Sequence, residues 1–349
     1  MDELLQRIHP KWFRRVAKMT LDRPTFEWID SGSRDGSSPS ADLHAYHRWR
    51  LLPRVLVDVS EVDLSTTVAQ QRIELPIMTS PIGLQRALHP DGEIGMARAT
   101  AAAGSAMVVS ANSSIPIEEI ACAAPGAQLW LQLANWSDRD STAALIRRAE
   151  AAGVSAFVPL VNGPVAAAHV DPQAGFRLPA GVAPAHSPAT PGMSASLGFD
   201  YIGWLASITT LPIVAKGVMH PDDAARAVQA GASGIIVSNH GCRQLPRAMG
   251  ALDALPHVVD AVGSDAEVFV DGGVRTGSDV LVALALGARA VMLGRPMAFA
   301  LAVGGAAGVE RALATLRAEL VEAAALSGIP NLREARCDLL AHVNERHEP

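Results

Sequence analysis

The chain has 349 residues, 49% of them hydrophobic and 18% charged, with a formal net charge of −6. This gives ample core for one large α/β domain or two small ones, and with no dense Lys/Arg block it argues against nucleic acid or an anionic membrane as partner and for a small molecule. Three widely spaced cysteines, Cys122, Cys242 and Cys337, suit neither a disulfide framework nor a metal site and fit a reducing cytoplasm; the early residues have acids and no apolar core, and no uncharged run reaches the ~20 residues of a membrane span.

Residues 1–50 read as a helical cap rich in aromatics (Trp12, Phe13, Phe26, Trp28, Tyr46, Trp49), interrupted by a Ser/Gly/Asp/Pro loop over 31–40. From residue 75 short apolar runs alternate with Ala-rich amphipathic stretches. The runs are 75–83, 106–112, 129–133, 156–161, 212–218, 234–241, 267–273 and 290–296, with predicted helices between them such as 91–103, 138–152, 221–230 and 277–286. The interval 163–199 breaks this rhythm and is predicted to be a lid over the site or a disordered loop. Two helices, around 304–327 and 330–346, are expected to close the chain.

Eight βα units with fully apolar strands predict a single α/β domain over 1–349, a (β/α)8 TIM barrel with an N-terminal helical cap and a long loop after strand 4. A doubly wound open sheet is the alternative. The barrel demands that chemistry sit at the C-terminal ends of its strands. Those ends read Ser80, Ser110 with Asn112, Gln132, Asn162, Lys216, Ser238 with His240, Asp271, and Gly294 with Arg295.

Asp271-Gly272-Gly273-Val274-Arg275 followed one strand later by Gly294-Arg295 offers backbone N–H groups and two guanidiniums to a phosphate, although a Gly-Gly pair alone also describes an ordinary turn. Lys216, closing an apolar strand, needs an anion or an electron-rich partner in the cavity; a reduced flavin or a rim carboxylate would serve. Gln132 can both donate and accept at a ring edge. His240 and Arg243 pair a group that takes a proton near neutral pH with one that grips a carboxylate through two parallel hydrogen bonds, and a polar turn at a strand end is the plainer explanation.

Ser238-Asn239-His240-Gly241-Cys242-Arg243-Gln244-Leu245, with Ala215-Lys216-Gly217 before it and VFVDGGVRTGSDVLVALALGARAVMLGRP after it, resembles the FMN-dependent 2-hydroxy acid oxidase and dehydrogenase family. LLPRVLVDVSEVDLSTTV, SPIGLQRALHPDGE and the Gln of LWLQL match it too, so the likeness runs through most of residues 25–327. It implies FMN as cofactor, a homotetramer, His240 as base, Arg243 as carboxylate clamp and Lys216 beside the flavin. Ser110, Gln132 and Ser238 would contact the ring or its chain. Asp271, Gly273, Arg275, Gly294 and Arg295 would hold ribityl and phosphate. The substrate side departs from the family: Trp28 and Ala134 stand where tyrosines are usual, Asn162 where an aspartate is, and His169 near a missing second arginine. Two readings follow, an oxidoreductase acting on a larger or atypical hydroxy acid, or an FMN-binding protein whose chemistry has been lost or changed.

Overall fold

A strand that is apolar on both faces must be covered on both, and the chain does this by closing eight such strands into a ring and laying helices around it. The computed structural model describes residues 12–33, 39–165, 175–188 and 192–343. The cap comprises α1 (Phe13–Thr20), α2 (Arg23–Asp30) and α3 (Pro39–His47), followed by β1 (Trp49–Leu51) and a hairpin of β2 (Thr66–Val68) and β3 (Gln71–Ile73). Asp22 begins α2 by accepting from Thr25 N at 3.0 Å, satisfying one of the free N–H groups of the first turn.

Then the repeat begins: β4 (Ile77–Thr79), α4 (Gly92–Ala102), β5 (Ala106–Val109), α5 (Ile117–Ala123), β6 (Gln128–Leu133), α6 (Arg139–Ala151), β7 (Ala156–Pro159) and α7 (Asp200–Ile208). It continues through β8 (Val214–Val218), α8 (Pro221–Gln229), β9 (Gly234–Val237), α9 (Ala251–Val262), β10 (Glu267–Asp271), α10 (Gly277–Ala285), β11 (Ala290–Leu293) and α11 (Arg295–Leu326), before a last strand β12 (Leu340–His342). All eight predicted strands are present; seven are shorter than their apolar runs, mostly because polar rim residues fall outside the ladder, and β6 begins one residue earlier than its run.

The parallel order is β7-β6-β5-β4-β11-β10-β9-β8. Parallel bridges Phe157 to Ile213 and Leu160 to Lys216, with Val161 N donating to Lys216 O at 2.9 Å, join the two outer strands and close the ring. Inside it, Met78, Val108, Trp130, Val158, Ile236 and Phe269 form a core distinct from the layer under the helices, with Trp130 edge-on to Phe269 at 5.5 Å. Val68, Ala69 and Ile73 of the hairpin belong to that inner core, so β2 and β3 plug the barrel floor; Ala69 N is anchored on Glu267 Oε2 at 2.7 Å.

Two expectations are corrected. Over the described residues, the helix predicted for 330–346 is replaced by short 3-10 turns and β12, which pairs antiparallel with β1. Helix-favouring residues there yield to a backbone partner that the cap supplies, as tertiary context overrides propensity. The last outer helix also starts earlier than predicted, at Arg295, and breaks at Gly304 and Gly305. By length and composition alone α11 could cross a membrane; its apolar face is instead spent on α1, α4 and α10.

The described parts of the long loop after β7 are docked on the rim. Phe176 stacks on Trp28 at 4.5 Å with planes 4° apart, Ala185 N donates to Ser113 O at 2.7 Å, Ser137 N to Gly192 O at 2.9 Å and Ser194 N to Asn135 O at 2.8 Å.

Candidate active site

The strand ends of one barrel face converge on two neighbouring cavities. The larger, about 580 Å³, reaches from Trp28, Lys216 and His240 past Arg243 to the Asp271–Arg275 turn and Gly294-Arg295. The smaller, about 330 Å³, is walled by Ser110, Gln132, Ala134, Trp136 and Met193 and shares Lys216 and His240 with the first.

Lys216 is 3% exposed and its Nζ lies 2.8 Å from Asp271 Oδ2 and 2.8 Å from Ser238 Oγ. A buried ammonium needs such partners, and the ion pair joins the ends of β8 and β10. Ser80 adds a hydroxyl to the same Asp271 oxygen at 3.3 Å, while Asp271 Oδ1 is buried without a partner. Ser238 does not face the cavity: fully buried, it accepts from Lys216 and from His240 N at 3.0 Å. Ser110 Oγ donates to Gln132 Oε1 at 3.1 Å, which leaves the Gln132 amide nitrogen free to donate.

His240 begins a left-handed turn with φ 62°. Burial, and after it the neighbouring Lys216, Arg243 and Arg295, push its imidazole well below the ordinary histidine value, against the pull of Asp271. The ring is therefore neutral at neutral pH. Nδ1 is buried without a partner, and Nε2 is the nitrogen left to face the cavity.

Arg243 Nη1 donates to Ser31 O at 2.7 Å and Ile29 O at 3.3 Å, and Arg295 donates to the same two carbonyls, Nε to Ile29 at 3.0 Å and Nη2 to Ser31 at 2.9 Å. Two cations thus cap the C-terminus of α2, where the helix dipole favours positive charge. Burial lowers Arg243 to about 10, Arg295 adding to the effect, and it stays charged at neutral pH. Among the described residues the Arg275 guanidinium donates to Val274 O, at 2.7 Å, and desolvation followed by Arg295 lowers it as well.

One of the remaining expected residues sits elsewhere. Asn162 is absent from both cavity walls; its Nδ2 donates to Ser238 O at 3.2 Å, its Oδ1 is unpartnered, and it fills the space a Cβ on Gly217 would need, 2.3 Å from Asn162 Cγ. His169 lies outside the described residues. Sequence reasoning missed Trp136 and Met193, brought to the smaller cavity by a bridge between them, and the carbonyls of Ile29 and Ser31; no local pattern announces either.

The residues present fit a bound FMN. Among the described residues neither Arg275 nor Arg295 has a carboxylate within ion-pair distance, and both line one cavity, Arg275 exposed and Arg295 half-buried, where desolvation lowers each and Arg295 lowers Arg275 further. Two neighbouring guanidiniums with no carboxylate of their own suit a phosphate, which each could grip through paired hydrogen bonds. Gly272 and Gly273, with φ 87° and 81°, turn backbone toward that space while their backs leave no room for a Cβ against Asp42 and Tyr46.

A family model described as FMN-dependent dehydrogenase matches residues 17–342. Human 2-hydroxyacid oxidase 1 is 39% identical over 346 residues, covering 92% of this chain and 93% of the relative. L-lactate oxidase of Nostoc sp. is 40% identical over 346 residues, with 92% and 94% covered. Among solved structures, mandelate oxidase with (S)-2-phenylpropionate superposes with a TM-score of 0.90 at 37% identity, over 96% of this chain and 98% of that one.

Proposed function

The chain belongs to the FMN-dependent dehydrogenase family, and from that membership we propose that it oxidises a 2-hydroxy acid whose side chain is bulkier than those of glycolate and lactate. The observation that carries the reading is the meeting of His240, Arg243 and Lys216 on one cavity that shares Lys216 and His240 with a second, which Ala134 lines.

FMN supplies the two-electron acceptor. Arg275, Arg295 and the turns at Gly272-Gly273 and Gly294 would hold its phosphate, and Lys216, Gln132 and Ser110 its ring side. Arg243 spends one nitrogen on Ser31 and Ile29 and keeps Nε and Nη2 for the substrate carboxylate, a geometry suited to two parallel hydrogen bonds. His240, neutral and half-buried, takes the proton released as the hydroxy acid is oxidised. Lys216, held by Asp271 and Ser238, keeps positive charge where electron density arrives. The docked loop, with Phe176 on Trp28, excludes water.

Ala134, Trp136 and Met193 provide an apolar recess beside the reacting centre, which suits an aromatic or long aliphatic side chain. The experiment compares glycolate, L-lactate and (S)-mandelate as reductants of the wild-type and Ala134→Phe proteins. Filling the recess is expected to lower the mandelate-to-glycolate ratio of kcat/KM by about tenfold or more. An unchanged ratio removes Ala134 from the specificity site. The reading also takes in a homotetramer in the cytoplasm; exposed Leu52, Val55 and Leu56 on one short segment support self-association, and a one-chain mass by light scattering would remove that part.

A further inference from the structure

The turn presenting His240 runs through three consecutive left-handed residues, His240, Gly241 and Cys242, at φ 62°, 61° and 60°. Two of them carry a Cβ, so their surroundings must hold them there. Cys242 N donates to Asn239 Oδ1 at 2.9 Å and closes the turn. The Asn239 amide presents its oxygen to Cys242 because its nitrogen is engaged elsewhere, donating to Asp42 Oδ1 at 2.7 Å and to Met249 O at 3.1 Å.

Asp42 lies on α3, 3% exposed, with no cation within ion-pair distance among the described residues. Besides Asn239 it accepts from Ala251 N at 3.1 Å and from the Cys242 thiol at 3.3 Å, so all three partners belong to the segment that carries His240 into α9. The same residue backs the phosphate-facing glycines: a Cβ on Gly272 would lie 2.6 Å from Asp42 Oδ2 and one on Gly273 2.4 Å from Asp42 O. A buried carboxylate is costly unless its acceptor capacity is used. Here every bond it makes fixes the loop of one strand, and its bulk fixes the loop of the next.

We propose that Asp42 is a positioning residue for the reaction: by orienting Asn239 it sets the left-handed turn that aims His240, and by backing Gly272 and Gly273 it shapes the anion cradle. This rests on the reading of His240 as the base.

The test uses FMN-loaded wild type, Asp42→Ala, Asp42→Asn and His240→Ala, with (S)-mandelate as anaerobic reductant, and a separate titration of FMN into each apoprotein. Asp42→Ala is expected to lose about tenfold or more in the limiting rate of reduction while the half-saturating mandelate concentration moves less than about threefold. Its FMN dissociation constant should rise about fivefold or more. Asp42→Asn keeps an oxygen for Asn239 and Ala251 and should stay within about threefold of wild type in both measurements. An Asp42→Ala protein with wild-type rate and FMN affinity overturns the proposal, as does an Asp42→Asn protein as impaired as Asp42→Ala. Undiminished reduction by His240→Ala would remove the base assignment instead; a dead His240→Ala beside an unimpaired Asp42→Ala removes Asp42 alone. Should Asp42→Ala not fold, Asn239→Ala breaks the same chain one link nearer His240 and carries the same rate expectation, with a wild-type rate overturning it. The FMN titration needs no substrate and decides the cradle half by itself.

Discussion

His240 is held in a backbone conformation that costs a non-glycine residue about 1–2 kcal/mol, in a pocket where burial and three cations keep its ring neutral. Nothing in Ser-Asn-His-Gly-Cys-Arg announces either fact; the sequence shows that a histidine and an arginine share a strand end, and the resemblance lends them roles. A base acts only when unprotonated. With its value depressed, His240 stays neutral as the pH falls through the ordinary histidine value of about 6.5, so the reduction rate should hold level there and fail only in stronger acid. Asn162 lies behind the same turn, its Nδ2 donating to Ser238 O two residues before the histidine. Asn162→Asp places a negative charge near the imidazole and should raise its value by roughly 1 unit or more, moving the acid limb of the rate profile toward neutrality and raising turnover of simple 2-hydroxy acids. A limb that stays put, or a rate that does not rise, would show that the absent carboxylate is not what tunes this base.

The barrel strands were legible because a parallel strand covered on both faces has to be apolar throughout, and the polar residues ending most of the runs marked the cavity-lined rim in advance. Elements whose reason for existing lies far away in the chain were not. The β2–β3 hairpin has three residues per strand, and only its fit into the barrel floor explains it. The C-terminal segment carries good helix formers and still pairs as β12 with β1. The same holds within the site: Arg243 and Arg295 were read as cations awaiting ligands, yet both also grip the last carbonyls of α2. That shared grip ties the cap to the chemistry, which is why the cap residue Trp28 reaches the cavity at all. Asp42 was invisible for the same reason, its partners Asn239, Cys242 and Ala251 being brought to it only by the closed ring.

On the scale of the whole molecule the charge is unevenly placed. The chain is net negative at −6, but the larger cavity gathers Lys216, Arg243, Arg275 and Arg295 against Asp271. Such a field draws in an anionic cofactor and an anionic substrate while the outer surface repels other anions. It also explains why composition could exclude nucleic acid and still leave the cofactor open, since an average conceals a local excess. The central claim is that this cavity passes electrons from a hydroxy acid to FMN with His240 as base. The most direct measurement is the anaerobic visible spectrum of the purified protein, loaded with FMN, on adding (S)-mandelate, with His240→Ala beside it. Mandelate is expected to bleach the wild-type flavin and to do so about a hundredfold or more slowly in the variant; a protein that takes up no FMN, or a variant that bleaches as fast as wild type, overturns the assignment.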